Sequence, residues 1–147
     1  MLNEPRSLRS GEIERLLERD VVARLATVDS HGFPHVTPLW FLWAGGAFWM
    51  TSLPDRPHLR RLDHNPSAGI CVDVELPERE DGERPNQQVR AIGHAEILND
   101  INGDWTRRIT AKYLRGAAAA THIERRSSGP RCAIQLTPHR LLAVASI

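Results

Sequence analysis

Lysine is almost missing from this chain: among 19 basic residues in a sequence of 147, Lys112 is the only one. The other cations are arginines, which suit rigid two-pronged contacts with anions, although a GC-rich genome yields the same bias and is the simpler cause. A charge excess of either sign is also missing. The formal net charge is +1, so nothing favours long nucleic acid or an anionic membrane, and electrostatic work must be local. No stretch approaches the roughly 20 apolar residues of a membrane span, and the opening MLNEPRSLRSGEIERLLERD lacks the apolar centre of a signal peptide. A cytoplasmic location is the expectation. Cysteine is scarce: Cys71 and Cys132 each sit in an apolar run, which reads as two buried free thiols rather than a disulfide. There is no G-x-G-x-x-G, no Gly-x-Ser-x-Gly elbow and no Cys-x-x-Cys. His31, His35, His58, His64, His94, His122 and His139 are scattered without a convincing ligand spacing, so no metal site is expected.

What is present begins with punctuation. A chain of this length suits one compact domain that buries about two-thirds of its unfolded surface. Ser10 is a candidate N-cap for a helix through Arg19, with Ile13, Leu16 and Leu17 on one face. Ser30-His31-Gly32 and Ala44-Gly45-Gly46 interrupt strand patterns where tight hairpins need residues that tolerate positive φ. Strands over 22–29, 33–43 and 47–51 then form an antiparallel meander. Pro57 opens a helix that Asn65-Pro66 ends, and 68–74 is a buried fourth strand. Residues 75–85, ELPEREDGERP, are too charged for a core and read as a solvent loop or lid. A strand over 87–98 follows, in which Gly93 marks a bulge or a close backbone approach. A helix over 100–115 carries Trp105, Ile109 and Tyr113 on one side, and a connection with at most a helical turn leads to a final hairpin of 131–136 and 140–146 around Thr137-Pro138-His139. Seven or so strands with two or three helices indicate a mainly β fold, a closed or nearly closed antiparallel barrel.

Immediately after the third strand, Thr51 and Ser52 offer hydroxyls, and Arg56, His58, Arg60 and Arg61 follow within one or two helical turns. Hydroxyls, a helix N-terminus and guanidinium groups are the usual means of holding a phosphate. Arginines on a helix are commonly a solvated face, but their position behind Thr51-Ser52 favours a phosphate contact for at least one. Arg56 and Arg60, four residues apart, share a helix face. Trp40, Trp43 and Trp49 suit core or interface packing, with one of them free to border a ligand ring. Tyr113, the only tyrosine, suits helix packing better than proton donation.

The segment ARLATVDSHGFPHVTPLWFLWAGGAFWMTS, the arginine-rich helix ending in LRRLDHNPSAGICV and the strand VRAIGHAEIL occur in this order. Together they resemble the split β-barrel flavin and deazaflavin oxidoreductases related to pyridoxamine 5'-phosphate oxidase. The resemblance covers 11–98 well and the last third in outline. It implies a Greek-key split barrel, a homodimer, and FMN or 8-hydroxy-5-deazaflavin held in grooves between the two barrels. On the matching positions, the backbone at Val36, Thr37 and Pro38 would lie beside the ring. Trp49, Met50, Thr51 and Ser52 would line the way to the phosphate, and Arg56, His58, Arg60 and Arg61 would supply cations. Gln87 and Gln88, from the other subunit or near the opening, would bond the ring's polar edge. One departure stands out. Where the family's helix commonly begins Ser-Arg-Lys, this chain reads Arg56-Pro57-His58, which alters the phosphate site.

A flavin or deazaflavin performs hydride transfer itself, so the protein need only bind the ring, aim it and exclude competitors. The leading expectation is therefore a dimeric oxidoreductase acting on a small conjugated or heteroaromatic substrate, with no side-chain acid or base assigned. The alternative is a non-catalytic protein that sequesters a flavin, haem or hydrophobic ligand on the same barrel. Pyridoxamine phosphate oxidation proper is disfavoured, because the resemblance is to the shorter, more general relatives.

Overall fold

The computed structural model describes residues 5–146. Eight strands, β1 (Arg6–Ser7), β2 (Ala23–Val28), β3 (Pro34–Leu39), β4 (Leu42–Ala44), β5 (Ala47–Ser52), β6 (Ser67–Glu75), β7 (Asn86–Asn99) and β8 (Cys132–Ser146), form one antiparallel sheet. Among the described residues four α-helices accompany it, α1 (Ser10–Glu18), α2 (Pro57–His64), α3 (Asp104–Tyr113) and α4 (Ala119–Ser127), with a short 3-10 turn at Ile101–Gly103 before α3. The strand order is β3-β2-β6-β7-β8-β5-β4, with β1 added against β8. The two outermost strands, β3 and β4, are joined by only Trp40 and Phe41. A sheet whose opposite edges are tethered so tightly must curl, and the result is the antiparallel split β-barrel.

That junction corrects the expected meander. A single strand over 33–43 was the expectation; instead the ladder stops at Leu39, and the second half pairs with β5 rather than continuing beside β2. The break occurs because α3 serves the backbone groups that a ladder would otherwise satisfy. The Phe41 amide donates to the Tyr113 hydroxyl at 3.2 Å and the Phe41 carbonyl accepts from Lys112 Nζ at 3.0 Å. Lys112 Nζ also donates to the Leu17 carbonyl at 3.0 Å, and the Tyr113 hydroxyl donates to the Val21 carbonyl at 2.7 Å. The only lysine and the only tyrosine thus tie α1, the start of β2 and the β3–β4 break to one helix. Burial, the larger influence, pushes the Tyr113 hydroxyl up to about 12 and the Lys112 ammonium down to about 8.

The C-terminal hairpin is also corrected. Residues 132–146 form one continuous strand, and Thr137-Pro138-His139 is a bulge within it: Gly93 faces Pro138 and Ile92 faces Arg140, which leaves His139 as the extra residue. Proline has no N–H for the ladder, and the bulge accommodates it. Gly93 is required opposite: a Cβ there would lie 2.5 Å from the Thr137 carbonyl oxygen. At the other end of the chain, α1 is capped from Arg9 rather than Ser10, the Glu12 carboxylate accepting from the Arg9 amide at 2.8 Å. The expected turn in the last connection is a nine-residue helix, α4. Cys71 and Cys132 are free, and only half-buried.

Alternation decides what fills the barrel. Leu25, Ile70, Val72, Val89, Ile134 and Leu136 point inward and meet Phe41, Phe48 and Met50, with Leu16 and Leu17 of α1 closing the bottom of this core. The outward positions include a row read directly from the register, Val36 beside Ala26, Ala26 beside Gly69 and Gly69 beside Ile92.

Candidate functional site

The site is a cleft of about 360 Å³ where the end of β3, the end of β5, the entry to α2 and the C-terminal half of the chain converge. Thr51 and Ser52 end β5, and the chain then turns through Pro54-Asp55, with Asp55 at φ +67°. Arg56 is the N-cap residue of α2 and Pro57 its first residue, where a missing N–H costs nothing. This geometry directs Arg56 and His58 to the cleft, and both line it. Pro38, Leu39 and Trp40 form one wall, Ile109 and Thr110 of α3 another, and Arg126 and Arg131 complete the rim.

The electrostatics are one-sided. Three arginines line the cleft and no carboxylate does. Asp100, which lies near Arg131, is engaged elsewhere: it accepts from the Trp105 and Thr106 amides at 2.8 and 3.0 Å and from the Thr106 hydroxyl at 2.6 Å. Arg131 Nη2 donates to Thr51 Oγ1 at 3.3 Å, while its Nε is buried without a partner. Burial and then the neighbouring Arg126 lower the Arg131 guanidinium from its ordinary value. His58 is 7% exposed, and its Nε2 is likewise buried without a partner. Burial, followed by the charges of Arg61 and Arg56, lowers the imidazole pKa below its usual value. A buried donor that lacks an acceptor costs about 1–3 kcal/mol, more when it is charged. Arg131 Nε is such a donor, and with three arginines and no carboxylate lining the cleft the residues present fit the anionic end of a cofactor.

Trp40 has two ring partners. Tyr113 stacks on its ring at 4.7 Å and 3° between planes, and the Arg126 guanidinium lies 4.5 Å from its ring centre. Arg126 is thereby held at the cleft by a cation–π contact rather than by an acid.

Of the residues expected at a site, the structure brings Pro38, Thr51, Ser52, Arg56 and His58 together in the cleft. Val36 and Thr37 lie on the same edge strand as Pro38, Val36 being strongly exposed on the outer face. Met50 is fully buried in the core. Trp49 stacks on Trp105 at 3.7 Å and donates from Nε1 to the Ala44 carbonyl at 3.2 Å. Arg60 turns back to the Asp55 carbonyl at 2.5 Å, and Arg61 Nε donates to the buried Thr27 hydroxyl at 2.7 Å. Gln87 and Gln88 sit on β7, away from the cleft; Gln87 lines a separate depression with Leu16, Arg19 and Leu76, and Gln88 donates to Asn86 Oδ1 at 3.2 Å. Arg126 and Arg131 were not anticipated, because nothing in their local sequence connects them to Thr51. Among the described residues no group of three or more His, Cys, Asp or Glu side chains could hold a metal ion. None of the described helices is long and apolar enough to cross a membrane.

The chain is thus an antiparallel split β-barrel with a cationic cleft beside the β5–α2 turn. Residues 10–145 match the family described as pyridoxamine 5'-phosphate oxidase, and the chain belongs to it. No curated protein matches the chain in sequence. Among solved structures, a FAD-binding protein from Mesorhizobium loti is similar at 19% identity and TM-score 0.69, with 98% of each chain covered. An F420 reductase is similar at 26% identity and TM-score 0.62, covering 87% of this chain and 94% of its own. The heme storage protein HutZ from Vibrio cholerae is similar at 20% identity and TM-score 0.68, covering 92% and 94%.

Proposed function

We propose that this protein is a homodimeric oxidoreductase that holds FMN or 8-hydroxy-5-deazaflavin with its anionic end in the cleft of Arg56, His58, Arg126 and Arg131. The observation that carries this reading is the pair of buried, unpartnered nitrogens, His58 Nε2 and Arg131 Nε, in a cleft without a lining carboxylate. Family membership and the similarity to an F420 reductase and a FAD-binding protein support it. Thr51 and Arg131 are already joined by a hydrogen bond, so the hydroxyl and the guanidinium are set before a ligand arrives. The unpaired edge of β3 at Val36 to Pro38 offers backbone donors and acceptors to a ring. When bound, the cofactor supplies hydride transfer to or from a small conjugated or heteroaromatic substrate. The protein's part is to bind the anion, orient the ring against β3 and exclude water. Titration of the purified chain with FMN and with the deazaflavin, followed by fluorescence at matched ionic strength, tests the reading; saturable binding of one is expected, and binding of neither overturns it.

A homodimer is proposed because the outer row Val36, Ala26, Gly69 and Ile92 is apolar, with Val36 65% and Ile92 57% exposed and Ala26 and Gly69 half-buried between them. Small residues at the middle of the row make a groove between larger ones, a shape that a second copy can fill. A second reading, sequestration of haem on the same barrel without catalysis, is favoured by the similarity to the heme storage protein. A Soret band in the freshly purified protein would support that reading over the first.

A further inference from the structure

We propose that His58 enters the binding reaction as a neutral imidazole and gains a proton as an anionic ligand fills the cleft, so that the ligand creates one of the cations that hold it. This inference rests on the anion-binding reading above and goes beyond it by assigning His58 a distinct role. The geometry is specific. His58 occupies the second position of α2, over nine-tenths buried, with Nε2 lacking any partner.

The groups that share its cleft or act on its charge come from several elements. Arg56 and Arg61 flank it on its own segment, and both disfavour its charge. β5 contributes the hydroxyls of Thr51 and Ser52, the start of β8 contributes Arg131, α4 contributes Arg126, and α3 contributes Ile109 and Thr110. No carboxylate lines the cleft. The Ser52 hydroxyl already donates to the Leu53 carbonyl at 3.0 Å, so it is not free to donate to the ring. An imidazolium here would face arginines in a desolvated place with nothing negative to balance it, and the ring therefore stays neutral near pH 7. An oxyanion in the cleft reverses this balance, because it supplies a compensating charge and an acceptor for the proton that the ring gains.

The linkage has a definite sign. Binding raises the proton affinity of His58, so protons are taken up on association. Between the free and the liganded proton affinities, ligand affinity falls as pH rises, by up to about tenfold per pH unit, and it is level outside that interval. A phosphate monoester contributes its own proton equilibrium, with a second pKa of about 6. A cationic cleft prefers the dianion, so this contribution runs in the opposite direction and must be subtracted.

Calorimetric titration of the full chain with FMN, and in parallel with the deazaflavin, at pH 7 in buffers of different ionisation enthalpy counts the protons exchanged. The same titration of His58→Gln and His58→Lys isolates the contribution of His58. The wild type is expected to take up more protons than either variant, by a substantial fraction of one, and His58→Lys is expected to bind at least as tightly with a flatter pH dependence. Equal proton counts in all three proteins, with binding retained, would overturn the proposal while leaving the anion-binding reading intact. Absence of binding by the wild type to either ligand would overturn both. Unfolding of the variants, checked by circular dichroism, guards the comparison, and the lysine variant provides the decisive count should the glutamine variant fold poorly.

Discussion

Individual arginines differ in where they lie and in what they touch. Arg131 lines the cleft with a buried Nε left unpartnered, whereas Arg60 lies outside the cleft lining and is tied to the Asp55 carbonyl. Arg131→Ala is therefore expected to weaken cofactor binding by at least tenfold, on the order of the 1.5–3 kcal/mol of a hydrogen bond to a charged group, while Arg60→Ala changes it by less than about twofold. Fluorescence titration of the two variants reads the difference. Lys112 acts on stability instead. Replacing it by alanine leaves the Leu17 and Phe41 carbonyls without their donor, and a loss of about 1–3 kcal/mol is expected in urea unfolding. Of the arginines that follow the β5–α2 turn in the sequence, Arg56 lines the cleft and Arg60 and Arg61 do not. Which of them faces the cleft was not visible there, because helix periodicity places residues on a face without saying what packs against it.

At the scale of elements, the β2–β3 hairpin has a titratable latch. Asp29 Oδ1 accepts from the His31 and Phe33 amides at 2.9 and 3.0 Å, and Oδ2 pairs with His35 Nε2 at 2.8 Å. The hydrogen bond to His35, then those to the backbone, lower its pKa to about 2 from the usual 3.8. A carboxyl depressed in the folded state contributes stability that is complete above its unfolded value and lost as pH falls toward 2. Amide exchange at His31 and Phe33, referenced to exchange in the unfolded chain, should therefore lose protection between about pH 4 and 2, and Asp29→Ala should remove that protection at neutral pH. The turn residues and the bulge glycine were legible in the sequence, because positive φ and close backbone approach leave few choices of residue. The continuity of β8 was not. Thr137-Pro138-His139 has the composition of a turn, and only the facing Gly93 on β7 shows that the strand passes through it as a bulge.

For the whole molecule, the proposed dimer would cover the outer row of Val36, Ala26, Gly69 and Ile92. Ile92→Asp would place a charge on this face without touching the core, Ile92 being 57% exposed. Light scattering after size exclusion at micromolar concentration is expected to report a dimer for the wild type and a monomer for the variant, with a circular dichroism spectrum unchanged. If the partner subunit completes the ring-binding groove, the same variant should also lose cofactor affinity. A wild type that is monomeric under these conditions would refute the dimer.

Local patterning was sufficient to specify an antiparallel barrel, the start of α2 at Pro57, the charged loop and the cationic turn after β5, since each depends on neighbours a few residues apart. The joining of β3 to β4 around the curled sheet, and the arrival of Arg126 and Arg131 beside Thr51, belong to the tertiary structure. Arg131 lies 80 residues from the Thr51 hydroxyl it bonds. A contact of that sequence separation leaves no periodicity to read, and it exists only because β5 and β8 pair as neighbours in the sheet.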